Sequence, residues 1–151
     1  MKTSEFRKLI REEVKKVLNE STRSTVGIEL PDGKIKSIYV HFDGQLRGVG
    51  KTLKDYYKDP NTVKKLINLG NASGLDKSID KPKDHTYDNP IKGYSVFYGR
   101  DRGEKNVGAY TSRDEADFTK HAKNFGADYI YLFRDGDWLY KPRSGGFWRT
   151  F

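Results

Sequence analysis

Residues 25–42 read TVGIELPDGKIKSIYVHF and decide the fold of this chain. Apolar and polar residues alternate over 25–30 and again over 35–42, as they do in strands with one buried face. Between these runs, Pro31-Asp32-Gly33-Lys34 supplies the residue types of a tight turn. The stretch therefore predicts a β-hairpin that opens a globular body.

Downstream of this hairpin, helical and strand-like patterns alternate, separated by polar turns. The predicted element order is ββααβαββ, in which hairpins outnumber crossovers. That order predicts an α+β fold in a single domain over 25–151, with a mostly antiparallel sheet and helices packed on it. The predicted ranges after the first hairpin are helices at 49–57 and 62–69, a long surface loop at 71–91, a strand at 93–98, a helix from Ser112 to about 124, and strands at 129–133 and 138–140.

Composition limits the classes of function. The chain has 151 residues, with 29 Lys and Arg against 21 Asp and Glu and a net charge of +8. This excess favours a polyanion as partner, although mixed surface charge also serves solvation. The absence of cysteine excludes a disulfide framework, a Cys-based zinc site and a thiol nucleophile. No apolar run is long enough for a membrane span or a secretory signal, so we expect no membrane partner.

The N-terminal segment, residues 1–20, has a helical pattern of its own. Its apolar residues recur at three- and four-residue spacings, and charged residues fill most other positions. An isolated helix of this length is only marginally stable in water, so we expect this amphipathic helix to have a partner. Residues 21–24 are predicted to link it to the body. The apolar stripe consists of Phe6, Leu9, Ile10, Val14, Val17 and Leu18.

The stretch Met1-Lys2-Thr3-Ser4-Glu5-Phe6 onward resembles the N-terminal capsid-targeting segments of internal head proteins of large tailed phages. In that class the prohead protease typically cuts after a Leu/Ile-x-Glu motif. Leu18-Asn19-Glu20, followed by Ser21, fits this motif, and Ile10-Arg11-Glu12 fits it a second time. The resemblance implies cleavage between Glu20 and Ser21, partners among phage head or scaffold components, and a location in the virion interior or the bacterial host cytoplasm. The alternative is a terminal helix that docks on the body or on another subunit.

The body also resembles a family of small uncharacterised proteins associated with phage and bacterial genomes. This resemblance implies a domain and a phage setting, and it implies no catalytic residues. It rests on Val26-Gly27-Ile28, Asp32-Gly33, Ile38-Tyr39, His41-x-Asp43-Gly44, Gly48-Val49-Gly50, Leu66-Ile67-x-Leu69-Gly70 and Tyr98-Gly99-Arg100-Asp101-Arg102-Gly103-Glu104.

Two loops carry residues suited to phosphate. The first contains Arg47, Gly48, Gly50, Lys51 and Thr52, and its Gly-x-Gly-Lys-Thr resembles a phosphate-binding P-loop at a helix start. A P-loop, however, needs a glycine at position 45, where Gln45 stands, and a parallel sheet before it. The alternative is therefore a simple anion site or a glycine-rich turn.

The second loop contains Arg100 and Arg102, whose guanidinium groups are suited to clamping phosphate. Asp101 and Glu104 beside them can equally neutralise this charge within the loop. If both loops lay at one edge of the sheet, their cations would form a single anion pocket.

His41 and Asp43 are the only candidates for acid/base chemistry, because their spacing puts both side chains on one face of a strand. Neither a third metal ligand nor a nucleophile at diagnostic spacing accompanies them. We therefore expect no metal and no cofactor, and His41 can equally be a polar sheet residue. His85 and His121 are expected to be exposed.

The C-terminal tail interleaves aromatic rings with cations, as base-stacking or backbone-tracking surfaces do. Its candidates for binding nucleic acid or a partner are Lys141, Arg143, Trp148 and Arg149. The alternative is a final strand whose rings fill the core.

Three function classes follow. The first is a phage-encoded protein, virion-internal or active in host takeover or against host defence, which acts by binding rather than catalysis. The second is a binding module for a nucleotide, a signalling molecule or nucleic acid. A small hydrolase that uses His41 and Asp43 is the third.

Overall fold

The structure, a computed structural model, describes residues 22–151. The predicted helix 1–20 and the cleavage residues Leu18, Glu20 and Ser21 lie outside the described residues. Thr22 and Arg23 are already tied to the body, because Gly44 N donates to Thr22 O at 2.8 Å and Arg23 N donates to the Asp128 carboxylate at 3.0 Å. Ser24, assigned to the linker by the sequence, is the buried first residue of the first strand.

The described part of the chain folds into an α+β structure with a seven-stranded mixed sheet and four helices. A π-helical turn, Leu46–Gly50, leads into the first helix. The strands are β1 Ser24–Glu29, β2 Ile35–Val40, β3 Ala72–Gly74, β4 Val96–Phe97, β5 Tyr110–Ser112, β6 Tyr129–Arg134 and β7 Asp137–Pro142. The helices are α1 Lys51–Tyr56, α2 Pro60–Asn68, α3 Tyr98–Arg102 and α4 Glu115–Asn124.

The sheet contains both predicted hairpins but is not mostly antiparallel. The strand order is β4-β3-β2-β1-β6-β7, and β5 pairs with the first half of β2. The β1–β2 and β6–β7 pairs are antiparallel, as predicted, whereas β1–β6 and β2–β3 are parallel. The prediction of a mostly antiparallel sheet was therefore wrong. The physical reason is that α1 and α2 carry the chain from β2 to β3, and α4 carries it from β5 to β6. Such crossovers return the chain in its original direction.

The sequence pattern did not predict three short elements correctly. β3 lies within the predicted loop 71–91, β5 was not predicted, and the predicted strand 93–98 contains only the two residues of β4 before α3 begins. Elements of two to five residues are too short to show a hydrophobic period. The predicted cap of α4 also moves, because Asp114 rather than Ser112 accepts from Asp117 N at 2.8 Å.

The two faces of the sheet bury separate apolar clusters. α1 and α2 cover one face, where their buried side chains meet alternate residues of β1, β2 and β6. α4 covers the other face, where Phe118 and Ala122 meet Ile35, Ile130 and Leu132. This division follows the two-residue period of each strand. Gly27 of β1 matters here, because a Cβ at this position would lie 2.9 Å from Cζ of Phe118.

A buried polar network ties the segment 75–95 to α3. The Asp101 carboxylate accepts from Phe97 N at 2.8 Å and from Arg100 Nε at 2.9 Å. His85, expected to be exposed, is 1% exposed, and its Nε2 lies 3.5 Å from the same carboxylate. Arg100 also donates to the carbonyls of Ser95 and Ile79. Because these partners come from separate parts of the chain, the network closes the long loop against the body.

The network predicts an acid-dependent stability. Burial alone would raise the pKa of Asp101, but the hydrogen bonds from Arg100 and Phe97 outweigh burial and lower it. Its contribution to stability is thus present above the unfolded-state pKa and lost as the pH falls through the lower folded-state value. We expect Asp101→Asn to reduce the free energy of unfolding at pH 7 by roughly 2–3 kcal/mol. The variant should also lose less further stability than the native chain below about pH 4.

Urea unfolding curves at several pH values measure both effects. Glu104→Gln is the matched control, since its exposed ion pair with Arg102 should contribute less than about 1 kcal/mol. Parallel pH profiles for the native chain and Asp101→Asn would contradict this account of the network.

Candidate anion-binding groove

The glycine-rich turn after β2 is explained by close packing. A Cβ on Gly48 would lie 2.2 Å from the carbonyl oxygen of Asp43, and one on Gly44 would lie 2.7 Å from the carbonyl carbon of Arg23. Distances below about 3 Å are not tolerated between such atoms. The Tyr131 hydroxyl donates to Gly44 O at 2.7 Å and fixes the turn against β6. Glycine is therefore required here whether or not a ligand binds.

The cations of this turn face solvent. Lys51 is the first residue of α1, and its Nζ forms an ion pair with Asp55 at 2.9 Å. Arg47 is exposed and Thr52 is half-buried. α1 has only six residues, and β1 and β2 before it are antiparallel. β2 does pair parallel with β3, but only through Val40 and Ala72, so this turn does not follow the extended parallel sheet of a P-loop. Phosphate binding by this turn stays a prediction.

The glycine turn generates a stability test. Gly48→Ala should lower the free energy of unfolding by about 1–3 kcal/mol, because the new Cβ overlaps a backbone carbonyl that cannot move aside. Gly108→Ala is the control, since nothing lies within 4 Å of a Cβ there, and we expect a change within about 0.5 kcal/mol. Urea denaturation of both variants measures the difference. Equal stabilities would show that packing is not what requires glycine at 48.

The arginines of the second predicted loop already bind neighbouring groups of this chain. Arg100 is bound in the buried network, and Arg102 pairs with Glu104 at 2.8 Å and lies over the rings of Tyr87 and Tyr98. β4 runs antiparallel to β3, which is parallel to β2. The chain therefore leaves β4 and β2 in opposite directions. The structure does not bring Arg100 and Arg102 together with Arg47 and Lys51.

His41 and Asp43 lie close in sequence but have different surroundings. His41 Nδ1 shares a hydrogen bond of 2.6 Å with the Tyr39 hydroxyl. Burial lowers the pKa of His41, and the charge of Arg23 lowers it further. Asp43, at a positive φ of 56°, lines an open cavity of about 420 Å³ together with Asp76 and Lys92. Within residues 22–151, no three His, Asp or Glu side chains form a group that could hold a metal ion.

The structure assembles a different site between α4 and the C-terminal tail. This groove, of about 700 Å³, runs along the side of α4 that faces β7. Residues of α4 supply most of its wall, and β7 supplies a single lysine. The lining residues are Glu115, Ala116, Thr119, Lys120, Lys123, Asn124 and Lys141.

Lys141 is the central residue of the groove. It is only 8% exposed, and its Nζ lies 4.5 Å from the ring centroid of Trp148. Burial lowers its pKa, Glu115 opposes this shift, and the neighbouring charge of Lys123 adds to it. Within the described part of the chain, Nζ of Lys141 has no hydrogen bond and no salt bridge, so its charge is partly desolvated and Glu115 acts on it only at longer range.

Glu115, the one carboxylate among the described residues that line the groove, is already engaged. One Glu115 oxygen accepts from Arg134 at 2.9 Å, and the other accepts from Trp148 Nε1. The hydroxyl of Thr119 has no hydrogen-bond partner within the described part of the chain. The groove therefore presents three lysines, whereas the Thr119 hydroxyl is buried and the Glu115 carboxylate is engaged. This is the arrangement that an anion with several oxygen acceptors requires.

The tail residues predicted from the sequence divide into two groups. Lys141 and Trp148 meet in the groove, because the backbone of Arg149 pairs with Tyr140 and returns the tail to β7. Arg143 and the side chain of Arg149 are exposed. The half-buried Trp148 ring stacks on Phe118 and contacts Lys141, so it already packs against the body.

Sequence reasoning missed Thr119, Lys120 and Lys123. They lie in a charged helix, where lysines at this spacing usually indicate a solvated face. Positions 116, 119, 120 and 123 do share one side of a helix, and this spacing could have indicated a common surface. It does not indicate a binding groove until the fold places Lys141 opposite these residues.

Comparison with known proteins adds no relative: no family model, curated protein or solved structure matches this chain. In the described part, no helix has both the length and the apolar character needed to cross a membrane. What the protein does must be inferred from its own geometry.

Proposed function

We propose that this protein acts by binding rather than catalysis, and that it holds a phosphate-bearing polyanion in the groove between α4 and the C-terminal tail. The single observation that carries the proposal is Lys141, a nearly buried cation without a salt bridge in the described structure. A buried charge that lacks a partner is costly. An anionic oxygen of a ligand close to Nζ would replace the hydration that burial removes from this ammonium group.

The surrounding charges support a phosphate rather than a cation or an apolar ligand. Lys120 and Lys123 lie on the same wall, and Glu115 shares Arg134 with Glu29, which Arg134 binds at 2.7 Å. This acidic cluster keeps one net negative charge, against the three lysines of the groove. The groove is open at the surface, so an extended polyanion can lie along it. Nucleic acid and nucleotides are the ligand classes with that chemistry.

The groove is tested with a fluorescein-labelled 30-base DNA and fluorescence anisotropy. The double variant Lys120→Glu/Lys123→Glu should weaken binding at least about tenfold and reduce the salt dependence by about two charges, because two phosphate contacts are lost. Lys141→Gln should weaken binding without a change in fold, checked by circular dichroism. If the native chain binds no polyanion, the proposal fails.

The matched control is Lys64→Glu/Lys65→Glu. It changes the net charge equally, but both residues are exposed on α2, across the sheet from α4. We expect its affinity to fall less than about threefold, since only long-range attraction is altered. An equal loss in both double variants would mean that net charge, rather than the groove, attracts the polyanion.

The setting of this binding is a second part of the proposal. We infer that the protein is phage-encoded, enters the virion with head or scaffold components through residues 1–20, and acts in the virion or the host cytoplasm. The described contacts of Thr22 and Arg23 support a removable segment, because they tie the body to Gly44 and Asp128 downstream of Glu20. A cut between Glu20 and Ser21 would leave all these contacts in place.

Mass spectrometry of purified phage particles tests this setting. We expect chains that begin at Ser21, because the Leu18-Asn19-Glu20 motif precedes the first anchored residues. Glu20→Gln should leave uncleaved chains in the particle, with Glu104→Gln as a control that changes an exposed glutamate elsewhere. Absence of the protein from particles, or only chains that begin at Met1, would contradict the packaging proposal without affecting the groove.

A further inference from the structure

The opposite flank of α4 carries a surface of aromatic rings. It is built from β2 and the residues after it, from β5 and from the end of α4. We call these six residues the ring surface: Tyr39, His41, Phe42, Tyr110, His121 and Phe125. They are connected ring to ring and belong to neither buried cluster.

The rings of this surface support each other and remain open to solvent. Tyr110 stacks on His121 with centroids 3.7 Å apart, and His121 lies 4.8 Å from Phe125. Phe42, Tyr110 and Phe125 are 38%, 40% and 44% exposed. Three large exposed rings in one connected set differ from the scattered apolar residues that normal surfaces carry.

α4 joins the ring surface to the groove. His121 and the adjoining Phe125 lie on one flank of the helix, and Thr119 and Lys123 lie on the other. Lys120 lies between the two flanks on the helical wheel. At ten residues α4 is about 15 Å long, and it is only about 10–12 Å across, so one ligand can reach both flanks.

A cation beside the rings favours a polyanion over an apolar partner. Arg23 acts electrostatically on both Tyr39 and His41, while Asp128 acts on Tyr39 in the opposite sense. Burial lowers the pKa of His121, with partial compensation from Asp117, so its ring tends to stay uncharged and able to stack. Rings edged by cations are what single-stranded nucleic acids bind, because every base has a face that stacks and every phosphate a charge.

We propose that the ring surface stacks the bases of a single-stranded nucleic acid whose phosphates lie in the groove on the other flank of α4. This inference rests on the proposed function of the groove and adds the ligand class. A duplex keeps its bases stacked inside and offers none to the rings. The protein should therefore prefer single strands, with no strong dependence on sequence.

The experiment distinguishes binding of the bases from binding of the phosphates. Three labelled probes are compared by fluorescence anisotropy: a 12-base oligothymidine, a 12-unit abasic deoxyribose phosphate and a 12-base-pair duplex. The native chain should bind oligothymidine about 5- to 100-fold more tightly than the abasic probe, the effect of stacked bases. The variant Tyr110→Ala/Phe125→Ala should lose that preference and keep its affinity for the abasic probe.

Two controls fix the interpretation. Phe147→Ala removes a ring that is 91% exposed in the tail, outside the ring surface, and should leave all affinities unchanged. Phe42→Ala changes a single exposed ring, and it tests the ring surface in place of the double variant if the double variant misfolds. Lys120→Glu/Lys123→Glu should weaken binding of oligothymidine and of the abasic probe alike.

Each remaining outcome overturns the inference. Equal affinity for oligothymidine and the abasic probe, with no effect of the ring variants, would remove the ring surface and leave the groove. Binding of no probe would remove both. If the ring variants instead abolish a dimer seen by sedimentation and leave nucleic-acid binding unchanged, the ring surface joins copies of this chain.

Discussion

The contact of Phe118 with β1 at Gly27 is the constraint on which the rest of the structure depends. A Cβ at position 27 would lie 2.9 Å from Cζ of this ring, so glycine is what lets α4 lie so close to the sheet. α4 is also the crossover from β5 to β6, and its close packing accompanies the parallel pairing of β6 with β1. The groove and the ring surface are the two flanks of this one helix. Both therefore depend on the same contact.

Electrostatics at one end of α4 explain why the groove is basic. Glu115, at its start, is shared by Arg134 of β6 and Trp148 of the tail, and Arg134 also binds Glu29 of β1. These contacts join β1, β6, α4 and the tail, and they engage the carboxylate that acts electrostatically on Lys141. Within residues 22–151, the lysines of the groove form no salt bridge. Three lysines against the one net negative charge of this network leave a positive excess that a polyanion can relieve.

The sequence predicted the elements that depend on local interactions, and it missed those that depend on contacts between distant parts of the chain. The hairpins 25–42 and 129–140 were predicted correctly because alternation and turn residues are local. The mixed sheet was not, since it arises from crossovers that pair β1 with a strand about 100 residues later. Arg100 was a reasonable phosphate ligand in sequence, yet Asp101 and two carbonyls occupy it. Lys141 and Trp148 were named from the tail, but their partners on α4 were not.

The sequence by itself determined the α+β class, the first and last hairpins, the basic charge and the N-terminal motif that ends at Glu20. These depend on residue type and short spacing, which the chain carries without folding. Only the tertiary structure decided that Lys141 would be buried beside Lys123 without a salt bridge in the described structure, and that rings from β2, β5 and α4 would meet. Burial and charge pairing are properties of residues far apart in the chain, so they exist only after the sheet and α4 have packed.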